Sequence, residues 1–153
     1  MLRDNVQPLS IPMKQDANGI LLFLDRSRSK YLSTSREVFT FGINHKNLSA
    51  IMWLMATGRV RTITTGYKIP RNATITSVTV QTTNTVTNAS FNILRNNTTV
   101  PPLTTLTLLG QVSASVDNLN ININKDDWLQ CRLIPVAGVV NYPLVVLELA
   151  WRE

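Results

Sequence analysis

The feature that most limits what this chain can become is the strict alternation of apolar and polar residues along its second half. Successive side chains of a β-strand point to opposite faces, so a period of two marks a half-buried strand. In LNININ (119–124) it places Leu119, Ile121 and Ile123 on one face and three asparagines on the other. ASFNILR (89–95) aligns Phe91 with Ile93, and TTLTLLG (104–110) aligns Leu106 with Leu108. WLQCRLI (128–134) and LVVLELAW (144–151) continue the pattern. ATITSVTVQTT (73–83) alternates with one slip near Ser77, where Ile75 gives way to Val78 and Val80. One extra residue in the strand, a β-bulge, accounts for such a slip.

Turn formers separate these strands: RNNTTVPP, NKDD and PVAGVVNYP. Six short strands so spaced predict an all-β fold, an antiparallel β-sandwich or jelly roll, rather than βαβ units. Thr and Asn fill 22 of the 54 positions from 72 to 125. Threonine fits the pleat and asparagine the turns, so the outward faces should be polar yet uncharged. That surface suits a rigid extracellular or virion β-module better than a soluble enzyme.

The front half is less regular. Residues 1–19, with Pro8 and Pro12, are expected to form an extended N-terminal arm. Residues 20–153 then make a single β-sandwich domain, of which 20–58 supply docking and first strands and 59–153 the jelly-roll core. GILLFLD (19–25), REVFTFG (36–42) and RVRTITTGY (59–67) look like strands. NLSAIMWLMATG (47–58) is ambiguous, because Leu48, Ile51, Leu54 and Met55 also fit a helical spacing. The start lacks the apolar stretch of a secretory signal and no run of 18 apolar residues occurs, so a soluble protein made in a cytoplasm is expected.

Charge divides the chain. Residues 1–71 carry net +7 and residues 72–153 net −1, for +6 in all. Nucleic acid is the first partner such a basic front suggests. Arg26, Arg28, Lys30, Tyr31 and Arg36 could be arranged for it, but no recognition helix, cold-shock motif or RNA-recognition signature accompanies them. A solvated edge or a rim of contacts between subunits is the better reading of these residues, and of Arg59 and Arg61. Trp53, Tyr67, Trp128 and Trp151 are read as core or interface aromatics.

Catalytic chemistry finds little footing. The single histidine, His45, lies in the loop-like GINHKN, and the single cysteine, Cys131, falls in phase with Leu129 and Leu133 as a small core residue. Asp117, Asp126 and Asp127 sit at turns, where aspartate caps backbone, and they lack the spacing of a calcium loop. No catalytic residue, metal site or cofactor is expected.

Several segments together resemble small structural proteins of tailed bacteriophages. In those chains a D-x-x-R-x-K-[WY]-L-S segment precedes a β-sandwich that opens with G-[YF]-x-x-x-[RK]-[ND]-[AG]-T-I. It runs through D-[WYF]-L-x-[CV] and ends in E-[LI]-A-W. Asp25, Arg28, Lys30, Tyr31, Leu32 and Ser33 match the first pattern, and Gly66, Tyr67 and Arg71 to Ile75 the second. Asp127, Trp128, Leu129 and Cys131 match the third, and Glu148 to Trp151 the last, so the resemblance spans roughly residues 20–152. It implies a jelly roll similar to the tumour-necrosis-factor-like knobs of phage fibres and decoration proteins. It also implies a homo-oligomer, a trimer, bound to other virion proteins such as the major capsid, portal, collar or tail protein. No membrane is implied. The alternatives left standing are a receptor-binding knob, using loops 96–102 and 136–142 on a host glycan or protein, and a nucleic-acid-binding protein.

Overall fold

A computed structural model describes residues 36–56, 66–96 and 101–152. Eleven strands form there: β1 (Arg36–Gly42), β2 (Met52–Trp53), β3 (Met55–Ala56), β4 (Tyr67–Lys68), β5 (Ala73–Val86), β6 (Asn88–Arg95), β7 (Thr104–Leu108), β8 (Gln111–Val116), β9 (Ile121–Ile123), β10 (Trp128–Ala137) and β11 (Leu144–Trp151). Among the described residues there is no helix. The expected antiparallel β-sandwich is what forms. One sheet runs β3-β1-β11-β5-β8, with β9 also on β5, and the other runs β2-β10-β6-β7, with β4 on β10.

The apolar phases meet between the sheets. Val78, Val80 and Ile75 of β5 pair with Leu147, Val145 and Leu149 of β11. Phe91 of β6 pairs with Leu133 on one side and Leu106 on the other, and Ile93 pairs with Cys131. All of these are buried in one core cluster, closed by Phe39, Phe41 and Trp151. Outside, hydroxyl and amide groups bond across strands: Thr74 to Asn122 at 3.0 Å, Thr79 to Ser115 at 2.9 Å and Ser90 to Thr107 at 3.3 Å. Such cross-strand pairs hold register without charge.

The slip at Ser77 is a bulge. Glu148 pairs with Ser77 and Leu149 with Ile75, leaving Thr76 as the extra residue. Its freed carbonyl accepts the Leu119 N–H at 2.9 Å, and its hydroxyl donates to the Glu148 carbonyl at 3.2 Å. The bulge thus returns Val78 and Val80 to the core and ties in the chain leading to β9.

Three expectations change. β8 was not foreseen; its apolar phase of Val112, Ala114 and Val116 is small and lies at a sheet edge, where Ala114 and Val116 only lean on the core. Residues 47–56 are extended rather than helical, because their backbone is captured by other strands. Leu48 bridges Val140, Met52 and Trp53 pair with β10, and the Leu54 N–H donates to the Cys131 carbonyl at 2.9 Å. In β6 both faces are buried, Asn92 and Leu94 as well as Phe91 and Ile93. Asn92 remains satisfied there by accepting the Thr105 hydroxyl at 3.1 Å. The strand read at 19–25 and most of that at 59–67 lie outside the described residues.

Consecutive strands change sheets at one end of the sandwich. Thr87 alone separates β5 from β6, and Leu109–Gly110 separates β7 from β8. The β10–β11 loop, 138–143, and the β1–β2 loop, 43–51, lie at the same end, since Gly42 approaches Pro143 and Leu48 bridges Val140. We call this the apical end. The opposite, basal end holds the starts of β5 and β10 and the ends of β6, β9 and β11.

Candidate interaction surfaces

The basal end is built from charged and amide side chains on turns. Asn96 and Asp126 take left-handed backbone (φ 54° and 72°), which asparagine and aspartate tolerate better than most residues. Asp127 then accepts from the Asn124 N–H at 2.8 Å and the Asn96 side-chain amide at 2.7 Å, with the Arg95 guanidinium 3.7 Å away. The Asn96 Oδ1 in turn accepts the Trp128 N–H at 2.8 Å. This network locks the β6–β7 connection to the β9–β10 turn. The Lys68–Asp126 pair, at 3.1 Å, has both side chains more than half exposed and contributes little. The carboxylate of Asp127 is therefore already committed to backbone and amide donors. Among the described residues no cluster of three or more His, Cys, Asp or Glu could hold a metal ion.

Arg152 closes the same end, donating from its guanidinium to the carbonyls of Ala73 and Ile123 at 3.0 and 3.1 Å. Asn72 accepts the Lys125 N–H at 2.9 Å. The Arg71 guanidinium stands 5.1 Å over the Trp151 ring, and Phe39 meets Trp151 edge-on at 6.2 Å. Tyr67 lies 4.3 Å from Phe39, and burial, followed by the Glu37 carboxylate, pushes its phenol above the ordinary value.

Of the residues read as contacts, Arg26, Arg28, Lys30, Tyr31, Arg59 and Arg61 lie outside the described residues. Arg36 opens β1 on the surface. The four aromatics separate. Tyr67 and Trp151 join through Phe39, Trp151 being buried. Trp128 is exposed at the basal end. Trp53 is half-buried on the other sheet, with the Arg132 guanidinium 5.7 Å over its ring.

His45 is exposed in the apical β1–β2 loop, where its Nδ1 donates to the Lys46 carbonyl at 2.7 Å. Cys131 is buried at mid-sheet, and burial drives its thiol well above the ordinary range. In the native protein Cys131 is expected to resist a maleimide near about pH 8 and to react on unfolding in urea. Labelling at the same rate in both states would contradict its place in the core.

The apical end has a different composition. The loops 43–51, 82–88, 109–112 and 136–144 contain no carboxylate, and their only basic side chains are Lys46 and His45. Loops 96–102 and 136–142, read together as one receptor surface, divide between the ends. Asn96 is basal and 136–142 apical, so they do not make one site.

Comparison with protein-family profiles finds no match, and comparison with characterised proteins finds none either. Among solved structures the chain is similar to PRD1 vertex protein P5, with 11% identity and a TM-score of 0.47. The alignment covers 78% of this chain and 74% of that one.

Proposed function

We propose that this chain is a structural component of a tailed-phage particle, assembled in the host bacterial cytoplasm. It would be a homo-oligomer, a trimer of β-sandwich bodies with a tumour-necrosis-factor-like jelly roll. In this reading residues 1–19 and the basic segment of Arg26, Arg28, Lys30 and Arg36 dock it on a capsid, collar or tail protein. Its role is that of a decoration, head-fibre or adaptor protein.

One observation carries the reading. Among the described residues, several of those through which the sequence resembles small phage structural proteins help to close the fold. Gly66 lies against the backbone of Leu129, Tyr67 stacks on Phe39, and Arg71 covers Trp151. Asn72 and Asp127 satisfy turn backbone, and Ser77 donates to Glu148 Oε1 at 3.3 Å. A resemblance concentrated on fold-closing residues speaks for a shared module rather than shared composition. Outward faces held by threonine, serine and asparagine pairs also suit a particle surface, since they keep their bonds whatever the salt or pH.

Deleting residues 1–18 tests the docking part. The truncated chain is expected to fold and to be lost from particles. Incorporation at the level of the intact chain would overturn a docking role for the arm.

A further inference from the structure

We propose that the apical end of the sandwich is the surface through which copies of this chain associate. The inference deepens the self-association part of the reading above and rests on it. Of the nine large apolar side chains exposed among the described residues, six lie on two segments of this end, 109–112 and 136–144: Leu109 (67% exposed), Val136 (62%), Val112 (46%), Tyr142 (41%), Val139 and Leu144 (both 37%). A monomer rarely gathers its exposed apolar groups in one place, and where it does the place is usually a contact site.

The strand end Thr82–Thr87 holds both segments. The Thr82 hydroxyl, whose nearer acceptor is the Asn84 carbonyl at 2.8 Å, lies 3.2 Å from the Val112 carbonyl, and the Asn84 amide donates to the Val139 carbonyl at 2.9 Å. The Thr83 N–H reaches the Asn141 carbonyl at 3.1 Å, and the Gly110 N–H reaches the Val86 carbonyl at 2.8 Å. Gly138, at φ 79°, lies so close to Thr87 that a Cβ there would sit 2.8 Å from the hydroxyl. Tyr142 holds left-handed backbone (φ 48°), a strained state for a bulky residue, and its N–H is fixed on the His45 carbonyl at 2.7 Å. The surface is thus preorganised, and little ordering entropy is lost when it is covered.

Two observations choose the occupant. Asn84 and Asn141, two of the amide groups at this end, are already spent on backbone. Asn84 Oδ1 accepts the Asn141 N–H at 2.8 Å, and Asn141 Oδ1 accepts the Asn47 N–H at 2.6 Å. The side chains of Leu109, Val112, Val136, Val139 and Leu144 face outward there beside exposed polar residues such as Asn44 and Gln111, and such an aliphatic set suits protein. The second observation is charge. Copies of a +6 chain repel one another, and they meet at least Coulomb cost on a face that carries almost no charge. Among the described residues the apical end is that face. The basal end carries Lys68, Arg71, Arg95, Lys125, Asp126, Asp127 and Arg152.

Sedimentation equilibrium on the full chain over a concentration and salt series tests this. The wild type is expected as a multiple of the 17.1 kDa monomer, held more tightly at high salt, where the repulsion is screened. Leu109→Lys with Val139→Lys, and the milder Leu109→Ser with Val139→Ser, should weaken association by at least about tenfold. Val38→Lys, at an apolar residue 61% exposed in β1, should leave the mass unchanged. A wild type that is monomeric throughout overturns self-association itself. An oligomer that tolerates both apical pairs, or dissociates with salt, overturns this surface and leaves self-association standing.

Discussion

Replacing Phe91 by alanine is expected to destabilise the protein by about 3–5 kcal/mol, lowering the urea midpoint with little change in slope. Phe91 is fully buried at the centre of β6, paired with Leu133 and Leu106 in its sheet. Truncation leaves a cavity that strands paired on both sides cannot close, so the lost transfer energy and the cavity add. A domain is stable by only about 5–15 kcal/mol, so a loss of this size consumes much of the margin. Val38→Ala supplies the contrast. That side chain is 61% exposed, and the change should fall within about 0.5 kcal/mol. If the two substitutions cost the same, Phe91 is not at the centre of the sandwich.

Gly66→Ala should cost about 3 kcal/mol, the upper end of what overpacking does. A Cβ at Gly66 would lie 2.2 Å from the Leu129 carbonyl oxygen and 2.6 Å from Gln130 Cγ. The glutamine can swing aside, but the carbonyl belongs to β10, between β6 and the short strand β4. Relief therefore needs the Gly66–Tyr67 backbone to lift off the sheet, which loosens Tyr67 from Phe39 as well. Gly110→Ala gives a useful comparison. Nothing lies within 4 Å of the added Cβ there, and only the φ of 67° opposes the substitution. The Gly66 change should therefore be the more damaging in a thermal or urea melt. The reverse order would contradict the close approach at Gly66.

How far these features were legible in the sequence depends on their range. The bulge at Thr76 could be read because Ile75 and Val78 are three apart where alternation demands two. REVFTFG could be read because Phe39 and Phe41 alternate strongly, and β1 spans those same residues. β8 could not, since alanine and valine between serines at an edge give a faint signal. Residues 47–56 stayed ambiguous for a different reason. Their helical spacing is local, whereas the bonds that extend them come from Val140 and from β10, about 80–90 residues away. The basal lock was equally hidden. Asn96 and Asp127 are 31 residues apart, and each looks like an ordinary turn former until the turns meet. The apical patch is hidden for the same reason. No window contains it; it arises because Thr87, Leu109–Gly110 and loop 138–143 all change sheets at one end.

The placement of charge follows from the same topology. A net +7 over residues 1–71 reads as a basic half of the chain. In the fold, seven of the charged side chains between residues 68 and 152 lie at the basal end, while among the described residues the apical loops carry only Lys46 and His45 as ionisable basic groups and no carboxylate. On the present account sister copies meet at the end with the fewest charges.

The most direct test of the proposed role is quantitative mass spectrometry of phage particles purified from a lysate in which the chain is produced. The account predicts peptides from this protein at a fixed ratio to the major capsid or tail protein, retained through density-gradient purification. Abundant chain in the infected-cell lysate with none in the particles would contradict it.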